Sequence, residues 1–289
     1  MIALCLAATL HLAFPQAQRV AIHGTRVVAV SASGRGIFIE GGKIAGSFDA
    51  GDNPLSVAFA GEDLVIAHHE RKYLTLHRAP LFAPVQIPVE VTPHTHFAAV
   101  ADLDGDGKPD IILNDMGGKR VVVLWGPDFK TSLAAATGSK GYAYENVAVA
   151  GDRVYVPCWP QAQVAVLRAH GRELRQERLI DLPNPAFFVS ADASAVVTYS
   201  GMIADATRDG LVMLGSGKSL DAGRAPVRVA SYGGQLAITA LGGTVKLFPQ
   251  GRTLEVPGVQ DAALGDLDGD GQPDLVVAAG DEITLFLSR

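Results

Sequence analysis

Short apolar runs of four to six residues, rich in Val, Ile, Leu and Phe, recur along the chain and are bounded by Gly, Asp and Pro. Runs of this length and composition indicate β-strands, because their apolar positions do not follow the 3.6-residue period of an amphipathic helix. The most apolar runs begin, in chain order, at Val27, Leu64, Ile111, Val154, Val196, Leu236 and Leu275. The spacing between these runs averages about 41 residues, which is the size of one four-stranded propeller blade.

A weaker apolar run precedes each of these runs and another follows it, so every repeat contains at least three strands. Fourth strands are predicted at 84–89, 175–182 and 253–257, where more polar segments suit a solvated outer edge. Seven repeats of this size fill the 289 residues almost completely. We therefore predict an all-β fold, a single β-propeller of seven four-stranded blades that spans 18–289. A propeller of six or eight blades would require one blade to be misassigned.

The first 17 residues allow two interpretations. An apolar run that ends at Pro15, with the small residue Ala17 after it, resembles a secretory signal peptide, although no Lys or Arg precedes the run. In the alternative, residues 3–14 form a strand of the last blade, because the final repeat contains only three strands and a propeller must close its ring. The signal peptide is the favoured interpretation, and it predicts a secreted protein, extracellular or periplasmic.

Composition and charge exclude several classes of function. The formal net charge is −6 and the basic residues form no dense cluster, which argues against a nucleic-acid partner. Of the two cysteines, Cys5 would leave with the signal peptide and Cys158 would remain alone, so neither a disulfide framework nor a Cys-based zinc site is expected. No apolar run is long enough for a membrane-spanning helix. We expect the chain to act as a monomer.

The strongest chemical signal is a nine-residue sequence with four aspartates, which occurs at 102–110 and again at 266–274. Four carboxylates so close together repel one another unless a cation neutralises them. Oxygen-only ligation by a flexible loop, with a glycine at the sixth position for the sharp turn, favours Ca²⁺ over Mg²⁺. The predicted ligands of two calcium sites are Asp102, Asp104, Asp106, the Lys108 carbonyl and Asp110, and Asp266, Asp268, Asp270, the Gln272 carbonyl and Asp274.

These loops are not EF-hands, because position twelve is Leu113 in one and Val277 in the other instead of Glu, and strands flank both. The pattern strand–DxDxDGxxD–strand inside a 41-residue repeat resembles the FG-GAP or VCBS repeat propellers, which include the integrin α-subunit head. The resemblance implies that each loop joins the first and second strands of its blade. It also implies extracellular use and the binding of proteins or glycans more often than catalysis.

Two interpretations of the loops themselves are open. Two full copies at equivalent blade positions favour bound calcium, and the alternative is a pair of metal-free surface turns. All of the predicted ligands are local, so the ions are expected to be structural clips and not catalytic centres.

Propeller geometry places the predicted partner on the face opposite the aspartate loops, because the connections into each first strand and the loops between second and third strands converge there. Two hypotheses follow. The first is a non-catalytic recognition module for a glycan or an extracellular protein. The second is an extracellular polysaccharide lyase or glycan hydrolase that uses His, Glu and Arg side chains of the rim; no catalytic motif assigns a catalytic residue. The candidate ligand-binding residues on this face are His68, His94, His96, Glu145, Trp159 and Arg224.

Overall fold

The computed structural model describes residues 6–80, 82–92, 97–130, 132–200 and 209–288. Cys5, His94, His96 and the segment 201–208 lie outside these ranges. Every regular element in the described ranges is a β-strand, and none of them forms a helix with the length and apolar character needed to cross a membrane.

The strands follow the repeats that the apolar runs predict. They are β1 (Leu6–Ala13), β2 (Ala17–His23), β3 (Arg26–Ser31), β4 (Arg35–Glu40), β5 (Lys43–Asp49), β6 (Pro54–Ala60), β7 (Asp63–His68), β8 (Tyr73–Arg78), β9 (Ala83–Pro88), β10 (Ala98–Ala101), β11 (Asp110–Asp115), β12 (Arg120–Leu124), β13 (Ser132–Ala136), β14 (Tyr142–Ala143), β15 (Ala148–Ala150), β16 (Arg153–Trp159), β17 (Gln163–His170), β18 (Glu173–Asp181), β19 (Ala186–Val189), β20 (Ala195–Thr198), β21 (Gly210–Met213), β22 (Ser219–Leu220), β23 (Pro226–Tyr232), β24 (Gln235–Ala240), β25 (Thr244–Phe248), β26 (Arg252–Glu255), β27 (Val259–Gly265), β28 (Asp274–Ala279) and β29 (Glu282–Ser288).

These strands form seven antiparallel sheets, which are the blades of a propeller. Blades 1 to 6 follow chain order as β2–β5, β6–β9, β10–β13, β14–β18, β19–β22 and β23–β26. In blade 4 the inner strand is split, since β14 and β15 both pair with β16. Blade 7 consists of β27, β28 and β29 with β1 at its outer edge. The prediction of an all-β propeller with seven blades is confirmed.

The core consists of seven apolar clusters, one between each pair of neighbouring blades. Each blade is therefore covered on both faces, and second strands such as β11, β24 and β28 are buried along their whole length. Burial on both faces explains why the second strands appear as continuous apolar runs and not as alternating ones. Outer strands such as β5 and β13 face solvent on most positions, so they carry no such signal in the sequence.

Strand β1 closes the ring. It runs antiparallel to β29, with Leu6 opposite Ser288 and Ala13 opposite Glu282. Phe14, which follows it, is fully buried between blades 7 and 1. Residues 6–13 thus form the closing strand of the last blade, which is the second of the two interpretations of the N-terminal segment. Removal of the segment as a signal peptide stays a prediction.

Among the described residues, four blades lead into their first strand through the same turn. The residue before the strand has a positive φ, and its carbonyl oxygen accepts a hydrogen bond from a backbone N–H that follows the second strand. A β-bulge follows in the first strand, and it orients the next residue towards the central channel. The turn residues are Gln16, Asn53, Ala225 and Gly258, and the residues after the bulge are Arg19, Ser56, Arg228 and Asp261.

Candidate functional site

The two aspartate loops lie on one face of the propeller. Residues 102–109 join β10 to β11 and residues 266–273 join β27 to β28, so both connect the first and second strands of a blade, as the family resemblance implies. We call the segments 102–110 and 266–274 loop 1 and loop 2. The face that carries them is the lower face, and the opposite face, where the chain leads into each first strand, is the upper face.

Both loops are curled around the same carboxylate-to-backbone hydrogen bonds. Asp102 accepts from the backbone N–H groups of Gly105 and Gly107, at 2.9 Å each. Asp266 accepts in the same way from the two equivalent glycines of loop 2, at 2.8 and 3.0 Å. Gly105 and Gly107 have φ values of 79° and 82°, a conformation in which any other residue is strained. The repeated glycines therefore fix the curl that gathers the carboxylates.

The gathered oxygens fit a hard cation. One carboxylate oxygen from each of three aspartates lies within 4.8 Å of the others in each loop. In loop 2 the side-chain Oε1 of Gln272 is also buried, and it has no hydrogen-bond partner among the described residues. Oxygen donors from several carboxylates in a flexible loop are the set that Ca²⁺ takes. The three aspartates are Asp102, Asp104 and Asp106 in loop 1, and Asp266, Asp268 and Asp274 in loop 2.

The last aspartate of each loop anchors it at the end of the third strand of the blade. Asp110 is buried and accepts hydrogen bonds from the backbone N–H groups of Leu103 (2.9 Å) and Gly126 (2.8 Å). Asp274 accepts from Leu267 (2.7 Å) and from the backbone of Ser288 in β29 (2.7 Å). Burial raises the pKa of both carboxyl groups, against the effect of these hydrogen bonds. These aspartates therefore shape the loops in addition to being candidate ligands.

Loop 1 has a cationic neighbour that the sequence analysis missed. Arg172, in the turn between β17 and β18 of blade 4, approaches Asp104 with its Nε at 2.8 Å from Oδ2. Its Nη2 lies 3.5 Å from Asp106 Oδ2 and donates to the Gly126 carbonyl at 3.4 Å. The guanidinium also lies 5.7 Å above the centre of the Trp125 ring. In the sequence, Arg172 is only a single basic residue in a hairpin turn, and nothing there indicates its contact with loop 1.

A row of four aromatic side chains crosses the upper face of blades 4 and 5. The rings of Trp159 and Tyr144 are tilted against each other by 30°, with their centres 5.0 Å apart. Phe187 follows at 5.3 Å from Tyr144, and Tyr199 at 5.2 Å from Phe187. All four side chains are partly exposed. We call this set the aromatic row.

Polar groups adjoin the aromatic row. Burial, with the nearby Glu145 and then Tyr199, raises the pKa of Tyr144 to about 12, so its phenol stays protonated at neutral pH. Glu145 itself has a φ of 48° in the break between β14 and β15. Its Oε2 lies 3.7 Å from Nη2 of Arg228. The row thus has a hydroxyl donor and an ion pair beside it.

Seven residues at equivalent repeat positions surround the upper end of the central channel, and we call them the channel ring. The ring lies over a cavity of about 460 Å³ lined by the first strands of all seven blades. Its members are Arg19, Ser56, Phe97, Asn146, Phe188, Arg228 and Asp261. Three of them accept a hydrogen bond from a backbone N–H of the next blade: Ser56 Oγ from Ala98 (3.0 Å), Asn146 Oδ1 from Val189 (3.0 Å) and Asp261 Oδ2 from Val20 (3.2 Å).

The other ring members fill the mouth of the channel. Phe97 and Phe188 meet edge to face at 5.6 Å, and the guanidinium of Arg228 lies 5.1 Å above the Phe188 ring. Arg19 donates through Nε to the carbonyl of Leu55 in blade 2 at 2.6 Å. Burial, followed by the nearby Arg228, lowers the pKa of Arg19 to about 9. Side chains therefore occupy the upper mouth, and a partner on this face would meet the surface around it.

The structure corrects one candidate on the upper face. His68 is only 1% exposed, so it cannot contact a partner there. Its ring turns inward, where Nδ1 donates to the Asp52 carbonyl (2.7 Å) and Nε2 shares a hydrogen bond with the Thr75 hydroxyl. Burial is the main cause of its lowered pKa.

The remaining candidates divide by position. Glu145 and Trp159 lie together at the aromatic row. Arg224 is exposed just before β23, also on the upper face. The predicted sites at His94 and His96 lie outside the described residues.

Comparison with known proteins agrees with this architecture. The family model described as FG-GAP repeat matches residues 258–285, which cover β27, loop 2, β28 and the first part of β29 in blade 7. Among curated proteins nothing matches. The family match and the seven blades support an FG-GAP β-propeller, as predicted.

Solved structures similar to the chain share its fold at low sequence identity. Virginiamycin B lyase from Staphylococcus aureus is 11% identical, with 96% of this chain and 98% of that chain covered and a TM-score of 0.72. Hydrazine synthase from Kuenenia stuttgartiensis is 13% identical, with 96% of each chain covered and a TM-score of 0.71. The WD40 domain of Pan2 from Neurospora crassa is 8% identical, with 96% of this chain and 94% of that chain covered and a TM-score of 0.68. At these identities the likeness extends to the fold alone.

Proposed function

We propose that this propeller is a secreted recognition module that binds a glycan at the aromatic row. The observation that supports the proposal is the row itself: Trp159, Tyr144, Phe187 and Tyr199, all partly exposed and in mutual contact on one face. Aromatic rings with a polar edge are favoured at binding surfaces, because one side chain supplies both apolar area and a hydrogen bond. A sugar presents the matching combination of an apolar ring face and peripheral hydroxyls.

The polar groups beside the row suit sugar hydroxyls. The protonated phenol of Tyr144 is a donor, and the carboxylate of Glu145 is an acceptor that Arg228 holds in place. A few oriented polar groups around an apolar surface are the usual composition of a ligand site. The alternative of a lyase or hydrolase is less well supported, because His68 is buried and hydrogen-bonded in the interior of blade 2.

Calcium completes the proposal as a structural clip on the lower face. Loops 1 and 2 would hold one Ca²⁺ each through the carboxylates that their glycines gather. The ion would neutralise the carboxylates and fix the connection between the first and second strands of blades 3 and 7. Because the loops and the aromatic row lie on opposite faces, the metal stabilises the propeller and does not contact the glycan.

A glycan array followed by measurement of Kd tests this assignment. Trp159→Ala and Tyr144→Ala should each weaken binding by at least about tenfold, the loss expected for a central aromatic contact. Tyr232→Ala is the matched control, since Tyr232 is a 44% exposed aromatic residue at the lower end of β23. Melting curves of all variants separate lost binding from lost folding.

Two results would contradict the proposal. The first is binding that survives both substitutions in the row. The second is binding that Asp104→Ala abolishes while the melting temperature is unchanged, because the lower face would then be the binding surface. If a protein bound at the aromatic row and no glycan did, the proposed site would stand and the proposed ligand would be wrong.

A further inference from the structure

We propose that Arg172 acts as a built-in counter-cation for loop 1 and lowers its affinity for Ca²⁺, so that the two loops bind the ion with different strength. The inference rests on the proposed binding of calcium. The two loops have the same four aspartates at the same spacing and differ within the loop only at position seven, which is Lys108 in loop 1 and Gln272 in loop 2. The further difference, on which the inference rests, is what the next blade around the ring presents to each loop.

At loop 1 the next blade presents a fixed positive charge. Arg172 follows Gly171 in the hairpin turn of blade 4 and crosses to blade 3, where it contacts Asp104 at 2.8 Å and Asp106 at 3.5 Å. The Gly126 carbonyl and the Trp125 ring hold the same guanidinium from the other side. Arginine is well suited to bridge two carboxylates, because its donors form a rigid planar fork.

At loop 2 the corresponding position has no side chain. The blade that follows blade 7 is blade 1, and its equivalent turn is Gly41–Gly42. Gly42 has a φ of 74°, and a Cβ atom there would lie 2.6 Å from the Cδ1 of Leu10 in the closing strand β1. No ion pair of the described residues reaches Asp266, Asp268 or Asp270.

The consequence for metal binding follows from the shared oxygens. A Ca²⁺ ion in loop 1 would take carboxylate oxygens of Asp104 and Asp106, two side chains whose Oδ2 atoms already face Arg172. Either the guanidinium leaves and the ion pair is lost, or it stays and repels the ion; both outcomes weaken binding. Arg172 is 48% exposed, so solvent screens the charge and the effect is modest, about threefold to tenfold in Kd.

Calcium titration calorimetry on single-loop variants tests the inference. Asp266→Asn with Asp268→Asn leaves loop 1 as the binding loop, and Asp102→Asn with Asp104→Asn leaves loop 2. Asparagine keeps one of the two side-chain oxygens, so at Asp102 or Asp266 it can still accept one of the two backbone hydrogen bonds of the loop. We expect the loop 2 protein to bind Ca²⁺ more tightly. In the loop 1 protein, Arg172→Gln should tighten Kd by about threefold to tenfold, whereas Arg172→Lys, which keeps the charge, should change Kd less.

The same Arg172→Gln change in the loop 2 protein is the matched control and should leave Kd unchanged. Equal Kd values for the two loops, or a loop 1 Kd that Arg172→Gln leaves unchanged or weakens, would overturn the inference while calcium binding itself stands. Absence of calcium binding in every protein, with normal melting curves, would instead overturn the proposed calcium sites and the inference with them.

Discussion

The bonds between Asn146 and the backbone of the next blade allow a quantitative test of how the ring is held together. The Asn146 side chain is buried, donates through Nδ2 to the Val189 carbonyl at 2.7 Å and accepts through Oδ1 from the Val189 N–H at 3.0 Å. Asn146→Ala removes both bonds and leaves a buried donor and a buried acceptor without a protein partner. Each such group costs about 1–3 kcal/mol, so the free energy of unfolding should fall by about 2–6 kcal/mol.

Ser56 supplies an internal comparison at the equivalent position of blade 2. Its hydroxyl accepts one hydrogen bond, from the Ala98 N–H at 3.0 Å, so Ser56→Ala should cost only about 1–3 kcal/mol, half the cost of Asn146→Ala. Urea unfolding measures the loss of stability in both variants. The calcium concentration is kept the same throughout, because a bound ion would itself add to the free energy of unfolding. A cost for Asn146→Ala that is below about 1 kcal/mol, or no larger than that for Ser56→Ala, would refute the reasoning.

Three further outcomes are expected. Ca²⁺ should raise the melting temperature relative to EDTA, with a stabilisation of about 2.7 kcal/mol at a hundredfold excess over Kd; equal midpoints without bound calcium would exclude the metal sites. N-terminal sequencing of the exported protein should find Gln18 first if the segment is a signal peptide, whereas an intact start would favour β1 as a permanent strand, and deletion of residues 1–16 should then destabilise the fold by removing β1 and Phe14. Burial lowers the pKa of His68 and His77, so the unfolded chain binds more protons below the ordinary histidine pKa. Stability from these residues should be complete above about pH 6.5 and decline as the pH falls further, and His68→Asn should reduce that slope in melts between pH 7 and 5.

The sequence predicts features of this fold that depend on local or repeated chemistry. The second strands are evident because successive residues such as Ile111 and Ile112 are buried against the neighbouring blades on opposite sides. The outer strand β5 is not evident in the sequence, because most of its side chains face water and need no apolar pattern. The aspartate loops are likewise evident, since the residues that shape them are adjacent in the chain.

The contacts that the sequence does not predict are those made between distant segments. Arg172 meets Asp104 across 68 residues, and no local pattern marks the pair. The sequence places His68 at the end of a strand. The inward orientation of its ring depends on a hydrogen bond to Thr75 in the next strand, which the sequence does not indicate. The aromatic row forms because the break in the inner strand of blade 4 brings Tyr144 between Trp159 and Phe187.

The channel ring also bears on how the sheets avoid joining further strands. Each blade ends at the channel with a first strand whose inner edge has no neighbouring strand within its own sheet. Exposed edges of this kind can template the addition of a foreign strand. Side chains of the preceding blade already occupy the N–H groups of Val20, Ala98 and Val189. At these three positions an extended peptide in the channel would first have to displace an intramolecular acceptor, so the residues that join the blades also protect their inner edges from strand invasion.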